Sequence, residues 1–363
     1  MALTAPNYPP EAFPDGVRIN FHMNGVFNGC RKVDKAEIDE DVVLDCVHEM
    51  DTINHFVGMY PIAAGGVIEK AYSPFLLSLL GVMLVGFMIR NPKARVGVMA
   101  VGFGGIAVWM YMTMYGKDGI DYQSQGYVAA MVTSLDQTEF EKEAAEEENL
   151  HPIVAELRRA MRQNANEGTE KKAITVATEK SKADNIIAIK SSFENDQKRK
   201  PTAEQEAWNG SNLQVLRWHY EKSLGRWFNN PVEINPMVAT TDLVAKALFW
   251  VVLGAMVFLL IAAWRTGSLL YWLLVVVPIM LPVFFIIEYS AWLWWYGHSL
   301  NEMGAFTLKP FMPTVFGQGK VAQFATHSYP NIGFGLMLAF SVLLALAALI
   351  RLKSLRAEKS GEA

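Results

Sequence analysis

The sequence predicts an all-α integral membrane protein with about five transmembrane helices and a largely helical extramembrane insert. The 363-residue chain is 52% hydrophobic, but its polar and apolar residues are strongly segregated. Several windows carry almost no charge over about 20 residues, the length that an α-helix needs to cross a bilayer. Residues 133–230, by contrast, are rich in charged and polar side chains. This division is typical of a membrane protein with a soluble insert.

Five apolar windows account for the predicted spans. They are residues 71–89, 96–115, 247–264, 268–295 and 332–350. The first two form a hairpin, and six glycines in them predict a close approach of its helices. In the fourth window, Pro278 and Pro282 remove backbone donors and predict a kink. The chain therefore divides into an N-terminal arm with an amphipathic helix (1–70), the hairpin (71–115), a soluble helical insert (116–240), two spans (241–296), an outward apolar loop (297–330) and a last span with a basic tail (331–363).

The extramembrane parts have distinct patterns. Residues 1–35 contain four early prolines, which predict an extended segment. Residues 36–60 carry apolar side chains at helical spacing and predict an amphipathic helix. Residues 208–231 are amphipathic and aromatic, which suits packing on the membrane surface or on another part of the protein. The loop at 297–330 is too apolar for a free linker, so we expect it to pack on the helices or on a protein partner.

Positive charge predicts the orientation of the spans. Basic residues occupy the turn at 90–95, the next turn at Arg265 and the tail after residue 350. With five spans these three segments lie on one side, which the positive-inside tendency assigns to the cytoplasm. We therefore expect a protein of the bacterial inner membrane whose C-terminus is cytoplasmic and whose N-terminus and residues 116–240 lie outside.

Charge and motifs argue against several functional classes. The formal net charge of −4 and the absence of a basic face argue against a nucleic-acid partner. No serine-hydrolase elbow, HExxH zinc site, Rossmann fingerprint or CxxCH haem motif occurs. The sequence therefore favours a protein that is not itself an enzyme, in contact with the lipid bilayer and with a protein partner or complex.

Soft side chains on the predicted outer side indicate a copper site. His48, His55 and Met59 lie on one stripe of the predicted N-terminal helix, away from its apolar face. His298 and His327 flank the apolar loop. Histidine and methionine ligands suit copper better than magnesium or calcium. The alternative is that the helical stripe is simply the polar face of a docked helix.

The two cysteines, Cys30 and Cys46, fall in the same predicted outward region. An oxidising compartment permits a disulfide between them, which would tie the extended arm to the amphipathic helix. Two separate buried thiols are an equal alternative.

Glu288 is an acidic residue within the fourth apolar window. Ionisable groups in membrane spans are costly, and they usually pair or serve transport. An aromatic belt begins at Trp292, and such belts mark the membrane interface, so the alternative is that Glu288 lies near the headgroups. Glu302 follows His298 by one helical turn, and a continuing helix would place its carboxylate beside the imidazole.

Two stretches carry a resemblance to a known family. They are HFVGMYPIAAGG at 55–66 and FMPTVFGQGKVAQFATHSYPNIGFG at 311–335. Together with the hydropathy layout, they resemble the multi-span membrane protein encoded beside Sec-exported (clade II) nitrous oxide reductases. The resemblance implies an accessory role in copper-site assembly or electron delivery for a periplasmic copper reductase. It supplies no ligand set, and it does not extend over the insert.

Three functions follow as expectations. The first is a membrane accessory protein that supports a periplasmic copper metalloenzyme or a respiratory chain through copper handling or electron delivery. The second is a noncatalytic subunit of a larger respiratory or oxygenase complex, with the apolar loop and the insert as contact surfaces. The third is a proton- or ion-coupled transporter centred on Glu288 and the proline-kinked fourth helix.

Overall fold

The computed structural model describes residues 2–5, 17–22, 25–28, 66–132, 135, 181–225, 230–264, 268–300, 312, 314–321 and 324–360. The helices are α1 (Val67–Met88), α2 (Pro92–Tyr115), α3 (Lys182–Arg199), α4 (Asn212–Leu224), α5 (Pro231–Trp264), α6 (Leu273–Ile279), α7 (Leu281–His298) and α8 (Ile332–Ser360). The strands are β1 (Ala2–Ala5), β2 (Val17–His22), β3 (Gly25–Asn28), β4 (Gly317–Val321) and β5 (Phe324–Ser328). Helices α1, α2, α5 and α8 are each long and apolar enough to cross a membrane, which confirms the predicted helical membrane fold.

The first two spans form the predicted hairpin. Helix α2 begins where the Asn91 side chain accepts hydrogen bonds from the backbone of Lys93 and Ala94. Helix α1 continues through Pro74, because Ser73 Oγ donates to the carbonyl of Lys70, which a proline at position 74 leaves without its helical donor. The two helices share the main apolar core with α4, α5 and α6.

Only two of the six hairpin glycines lie at a close helix contact. A Cβ atom at Gly102 would lie 2.7 Å from Val82 Cγ2, and one at Gly86 would lie 2.3 Å from Met99 Sδ. The other four glycines have open space on that side. The close approach predicted from composition is therefore confined to two positions.

Helix α5 begins at Pro231, well before the apolar window that starts at residue 247. Its 34 residues extend for about 51 Å, which exceeds the hydrocarbon core of a bilayer, about 30 Å thick. The first turns pack against α4, where Ile234 and Val238 form a small core with Tyr220 and Leu224. The early part of α5 therefore belongs to the insert as much as to the membrane.

The fourth span is broken where the sequence predicts a kink. The segments 269–279 and 281–295 meet at an angle of 61° around Met280. Pro278 and Pro282 lie on either side, and neither can donate a backbone hydrogen bond. Counted as one span, this bent pair brings the number of candidate spans in the described part of the chain to five.

Helix α8 lies at the periphery and packs on α6 and α7. Only 6% of its apolar window is buried inside the protein. Such an exposed apolar surface fits contact with lipid.

A five-stranded antiparallel sheet joins the N-terminal arm to the apolar loop. Its order is β3-β2-β1-β5-β4, and Ala2 of β1 pairs with Asn20 of β2 on one side and with His327 of β5 on the other. The sequence predicts an extended arm and a packed loop, but not that the two pair with each other. This pairing connects residues more than 300 positions apart, which local patterns do not encode.

The insert is docked on the helical bundle. Helix α3 begins with a capping box in which Ser181 and Asp184 satisfy each other's backbone N–H groups. Helix α4 is buried at nine of its 13 residues and contacts α2, α5 and α1. The sequence allows residues 208–231 to pack either on the membrane surface or on another part of the protein. In the structure, α4 packs on the rest of the protein.

The bundle has two chemically different ends. At the basic end, Arg95 Nε donates to the carbonyl of Ala263 over 2.7 Å, and Arg90 contacts Ser354 over 3.4 Å. These contacts gather the first basic turn, the end of α5 and the basic tail, as the charge pattern predicts. At the opposite end, here called the sheet end, α1 and α8 begin beside β5.

Candidate functional site

A cavity of about 310 Å³ opens at the sheet end. The first turn of α1, the middle of α7, the first turn of α8 and residues on either side of the β4–β5 hairpin form its walls. The two acidic residues that line it are Glu69 from α1 and Glu288 from α7. The predicted membrane-embedded acid therefore shares its pocket with a second carboxylate.

Aromatic rings form much of the pocket wall. Phe285 and Tyr289 are stacked with their ring centroids 5.9 Å apart. Phe334 lies 5.9 Å from Phe285 and 6.5 Å from Phe316. Trp292, the first residue of the predicted belt, also lines the cavity. The faces of such rings carry partial negative charge, which attracts cations.

A buried hydroxyl fixes the strands above the pocket. Ser328, the last residue of β5, is 5% exposed and donates to the carbonyl of Val315 over 2.7 Å. The Tyr289 hydroxyl lies 3.3 Å from the same Ser328 oxygen. The sheet is therefore joined to α7 at the pocket rim.

The charges in the pocket act on each other. Glu69 and Glu288 repel electrostatically, and in the part of the chain that the structure describes no cationic group lies within 4.0 Å of the Glu288 carboxylate. The Glu288 side chain is exposed, and its neighbours in the cavity, Gly66 and Asn331, directly precede two spans. Glu288 therefore lies towards the sheet end of the bundle.

Because Gly66 has no side chain, the Glu69 carboxylate has room beside it. A Cβ atom there would lie 2.7 Å from Glu69 Oε2. Glu69 thus folds back over the residue that precedes α1, at the edge of the cavity. Sequence reasoning missed Glu69, because an acid beside Lys70 at the border of an apolar window looks like an ordinary flanking charge.

The insert places a buried histidine near Lys70, the residue that follows Glu69. His219 of α4 is 4% exposed, and burial, together with the charge of Lys70, lowers its pKa to about 4. His219 is therefore neutral at neutral pH. The neighbouring Tyr220 has its pKa raised by burial, and Glu69 adds to that shift. Helix α4 thus adds neutral polar groups, not charge, beside the first turn of α1.

The predicted metal ligands are only partly covered by the structure. His48, His55 and Met59 lie outside the described residues, as do Glu302 and both cysteines, Cys30 and Cys46. His298 is stacked on Trp294, with centroids 4.4 Å apart, and its Nδ1 donates to the carbonyl of that residue over 2.7 Å. His327 is described only in its backbone, within β5. No group of three His, Cys, Asp or Glu side chains close enough to hold a metal occurs in the ranges given above.

Fold and pocket together define a class: a helical integral membrane protein with four to five candidate spans among its described residues and an acidic, aromatic cavity at one end. Comparison with models of protein families, with curated proteins and with solved structures gives no match.

Proposed function

We propose that this protein is an ion-coupled membrane transporter that binds a small organic cation in the sheet-end pocket. One observation carries the proposal: Glu69 and Glu288, from the first and fourth spans, line a single cavity. Carboxylates that face one cavity repel each other, and a bound cation would relieve that repulsion.

The walls of the cavity favour an organic cation over a bare metal ion. A volume of about 310 Å³ is in the range of small-molecule sites. Aromatic faces attract quaternary and primary ammonium groups, and this attraction strengthens when water is excluded. The pocket combines such faces with two carboxylates, and it offers no cluster of metal ligands among the described residues.

The broken fourth span supports transport as the activity. Transporter sites are commonly built where a membrane helix is interrupted, since the free ends and the break allow movement. Glu288 lies about two turns beyond the 61° break at Met280. A change in the angle between α6 and α7 would therefore move Glu288 relative to Glu69.

Choline binding to the purified protein tests the pocket. We expect Glu288→Gln to weaken the affinity for choline about tenfold, because the ionic attraction between the carboxylate and the quaternary ammonium group is lost. Glu194→Gln, which removes a carboxylate from α3 that is also exposed, is the matched control and should leave the affinity unchanged. Equal choline affinities for the wild type and Glu288→Gln, or no binding to either, would contradict the proposal.

Uptake measurements separate transport from simple binding. In proteoliposomes the wild type should accumulate labelled choline, and Glu288→Gln should not. Binding without accumulation would make the protein a cation-binding component of the membrane and would refute the transport part of the proposal.

A second proposal is the accessory role for a periplasmic copper enzyme. It is supported by the sheet, whose register brings the backbone of His327 in β5 and that of His22 in β2 to the same end, two strands apart. We expect the purified full chain to bind stoichiometric copper, and the triple replacement of His48, His55 and Met59 by alanine to abolish this binding. Metal analysis after copper loading and desalting is the measurement, and a wild type that retains no copper would refute this role.

A further inference from the structure

A fully buried arginine lies at the basic end of the bundle. Arg95 is 0% exposed, and its guanidinium stands over the ring of Tyr271, 4.7 Å from the centroid. Nε donates to the carbonyl of Ala263 over 2.7 Å, and Nη1 donates to that of Ile89 over 3.3 Å. Nη2 is also buried, yet it has no hydrogen-bond partner among the described residues. The two carbonyls and the Tyr271 hydroxyl that interact with Arg95 are all neutral, so no ion pair compensates its positive charge there.

A second arginine adjoins the first. The charge of Arg351 in α8 acts on Arg95 repulsively, and Arg351 Nε is likewise buried without a partner in the described chain. Arg90 reaches the same region, where it contacts Ser354 one turn further along α8. Three arginines, from α2, from α8 and from the turn before α2, therefore lie at the same end of the bundle.

The helices that carry these arginines have no acidic residue close to them in sequence. The sequence has no Asp or Glu from Ile89 to Lys117, from Leu243 to Ile287 or from Met303 to Ala357. The first acid after Arg351 is Glu358, about 10 Å further along the helix axis. Like charges that are buried together without a counterion are costly, and within the described ranges neither Arg95 nor Arg351 forms an ion pair.

We propose that the phosphate of an anionic phospholipid binds between α2 and α8 at the basic end, held by Arg351 and Arg95. Guanidinium N–H groups donate charge-assisted hydrogen bonds to phosphate oxygens, so one phosphate can accept from the unpartnered nitrogen of each arginine. Arg351 is only half-buried, so its side chain forms the accessible side of the site. Only 6% of the apolar window of α8 is buried inside the protein, so the face that does not pack on α6 and α7 is open to lipid.

The position along the helices favours a lipid over a soluble anion. Arg95 lies in the first turn of α2, and Arg351 follows the apolar part of α8, so both are at the level of the headgroups. Basic pockets between helices at this level bind the headgroups of anionic lipids. The inference depends only on the membrane fold and is independent of the proposed cation pocket at the other end.

The test compares lipids and variants of the full-length protein in detergent. We expect phosphatidylglycerol to raise the melting temperature more than phosphatidylcholine does. Arg351→Gln should weaken the apparent affinity for phosphatidylglycerol about tenfold, the effect of losing one charge-assisted contact. Lys353→Gln removes the same charge from an exposed position two residues away and should change the affinity less than threefold.

Three outcomes would overturn the inference. One is equal stabilisation of the wild type by phosphatidylglycerol and phosphatidylcholine. Another is an equal loss of affinity for phosphatidylglycerol in Arg351→Gln and Lys353→Gln, which would show that only the general surface charge matters. The third is full stabilisation by inorganic phosphate alone, which would assign the site to a free anion. Because Arg351 lies at the periphery, its replacement leaves the Arg95 contacts with Ala263 and Ile89 in place.

Discussion

Replacing Asp196 with alanine is expected to destabilise the packing of α3 on α4 by about 3 kcal/mol. Asp196 forms an ion pair with Lys222 and accepts a hydrogen bond from Trp218 Nε1 over 3.0 Å. Its own side chain is 9% exposed, and that of Lys222 is 22% exposed. Removing the carboxylate leaves a largely buried ammonium group and a buried indole N–H without their partner. The remaining exposure of Lys222 keeps the effect at the low end of that seen for buried pairs.

The Trp218 indole also belongs to an aromatic cluster, so the loss of Asp196 affects more than its own two contacts. Phe193 of α3 packs edge-on against both Trp208 and Trp218, with centroids 5.3 and 5.5 Å away. A shift of Trp218 therefore disturbs the contact between the two helices. We expect faster hydrogen exchange in both, with little change in the spans.

An exposed ion pair on the same helix provides the control. Glu194 lies 3.9 Å from Lys190, and both side chains are 48% exposed. Glu194→Ala should therefore cost about 0.5 kcal/mol or less. Thermal unfolding and hydrogen exchange of the detergent-solubilised protein measure both variants. Similar losses in the two would show that the Asp196 contacts do not hold α3 in place.

Lowering the pH from 7 to 5.5 is expected to weaken the docking of α4 by about 1 kcal/mol. Burial of His219, and next the charge of Lys70, lower its pKa from 6.5 to about 4, against the opposing effect of a backbone hydrogen bond with Met131. The unfolded chain therefore takes up a proton near pH 6.5, whereas the folded chain resists it until about pH 4. The contribution of His219 to stability is complete above pH 6.5 and falls as the pH decreases. It levels off below pH 4, where the loss is about 3 kcal/mol.

Replacing the imidazole with an amide isolates this effect. His219→Gln keeps a polar side chain of similar length without a group that titrates in this range, so α4 should lose less stability between pH 7 and pH 5.5. The free energy of opening of α4, from hydrogen exchange corrected for the intrinsic rate at each pH, is the measurement. The same pH dependence in both proteins would exclude His219 as its origin.

Much of the fold follows from local patterns. Apolar windows of about 20 residues identify the spans, and Pro278 and Pro282 mark the break in the fourth one. The basic turns predict which helix ends lie together, and the contacts of Arg90 and Arg95 agree. Hydropathy, proline and charge act over one helix at a time, so a sequence window contains the information needed.

Local sequence patterns predict only one of the two acidic residues in the candidate site. Glu288 stands out because it interrupts an apolar window, but Glu69 has a flanking position that many spans share. Arg95 likewise looks like one more charge in a basic turn, and only the packing of α2 against α5 and Tyr271 shows that it is fully buried. Burial depends on which faces meet, and a single helix does not contain that information.

The sequence alone determined that this is a helical membrane protein, where its spans lie and which ends carry positive charge. The tertiary structure decided which distant groups meet: Glu69 with Glu288 in one cavity, and Ala2 with His327 in one sheet. The physical reason is the range of the interactions. The free energy of transferring an apolar segment into lipid is a sum over neighbouring residues. Strand pairing, burial and repulsion between charges depend instead on contacts between residues hundreds of positions apart.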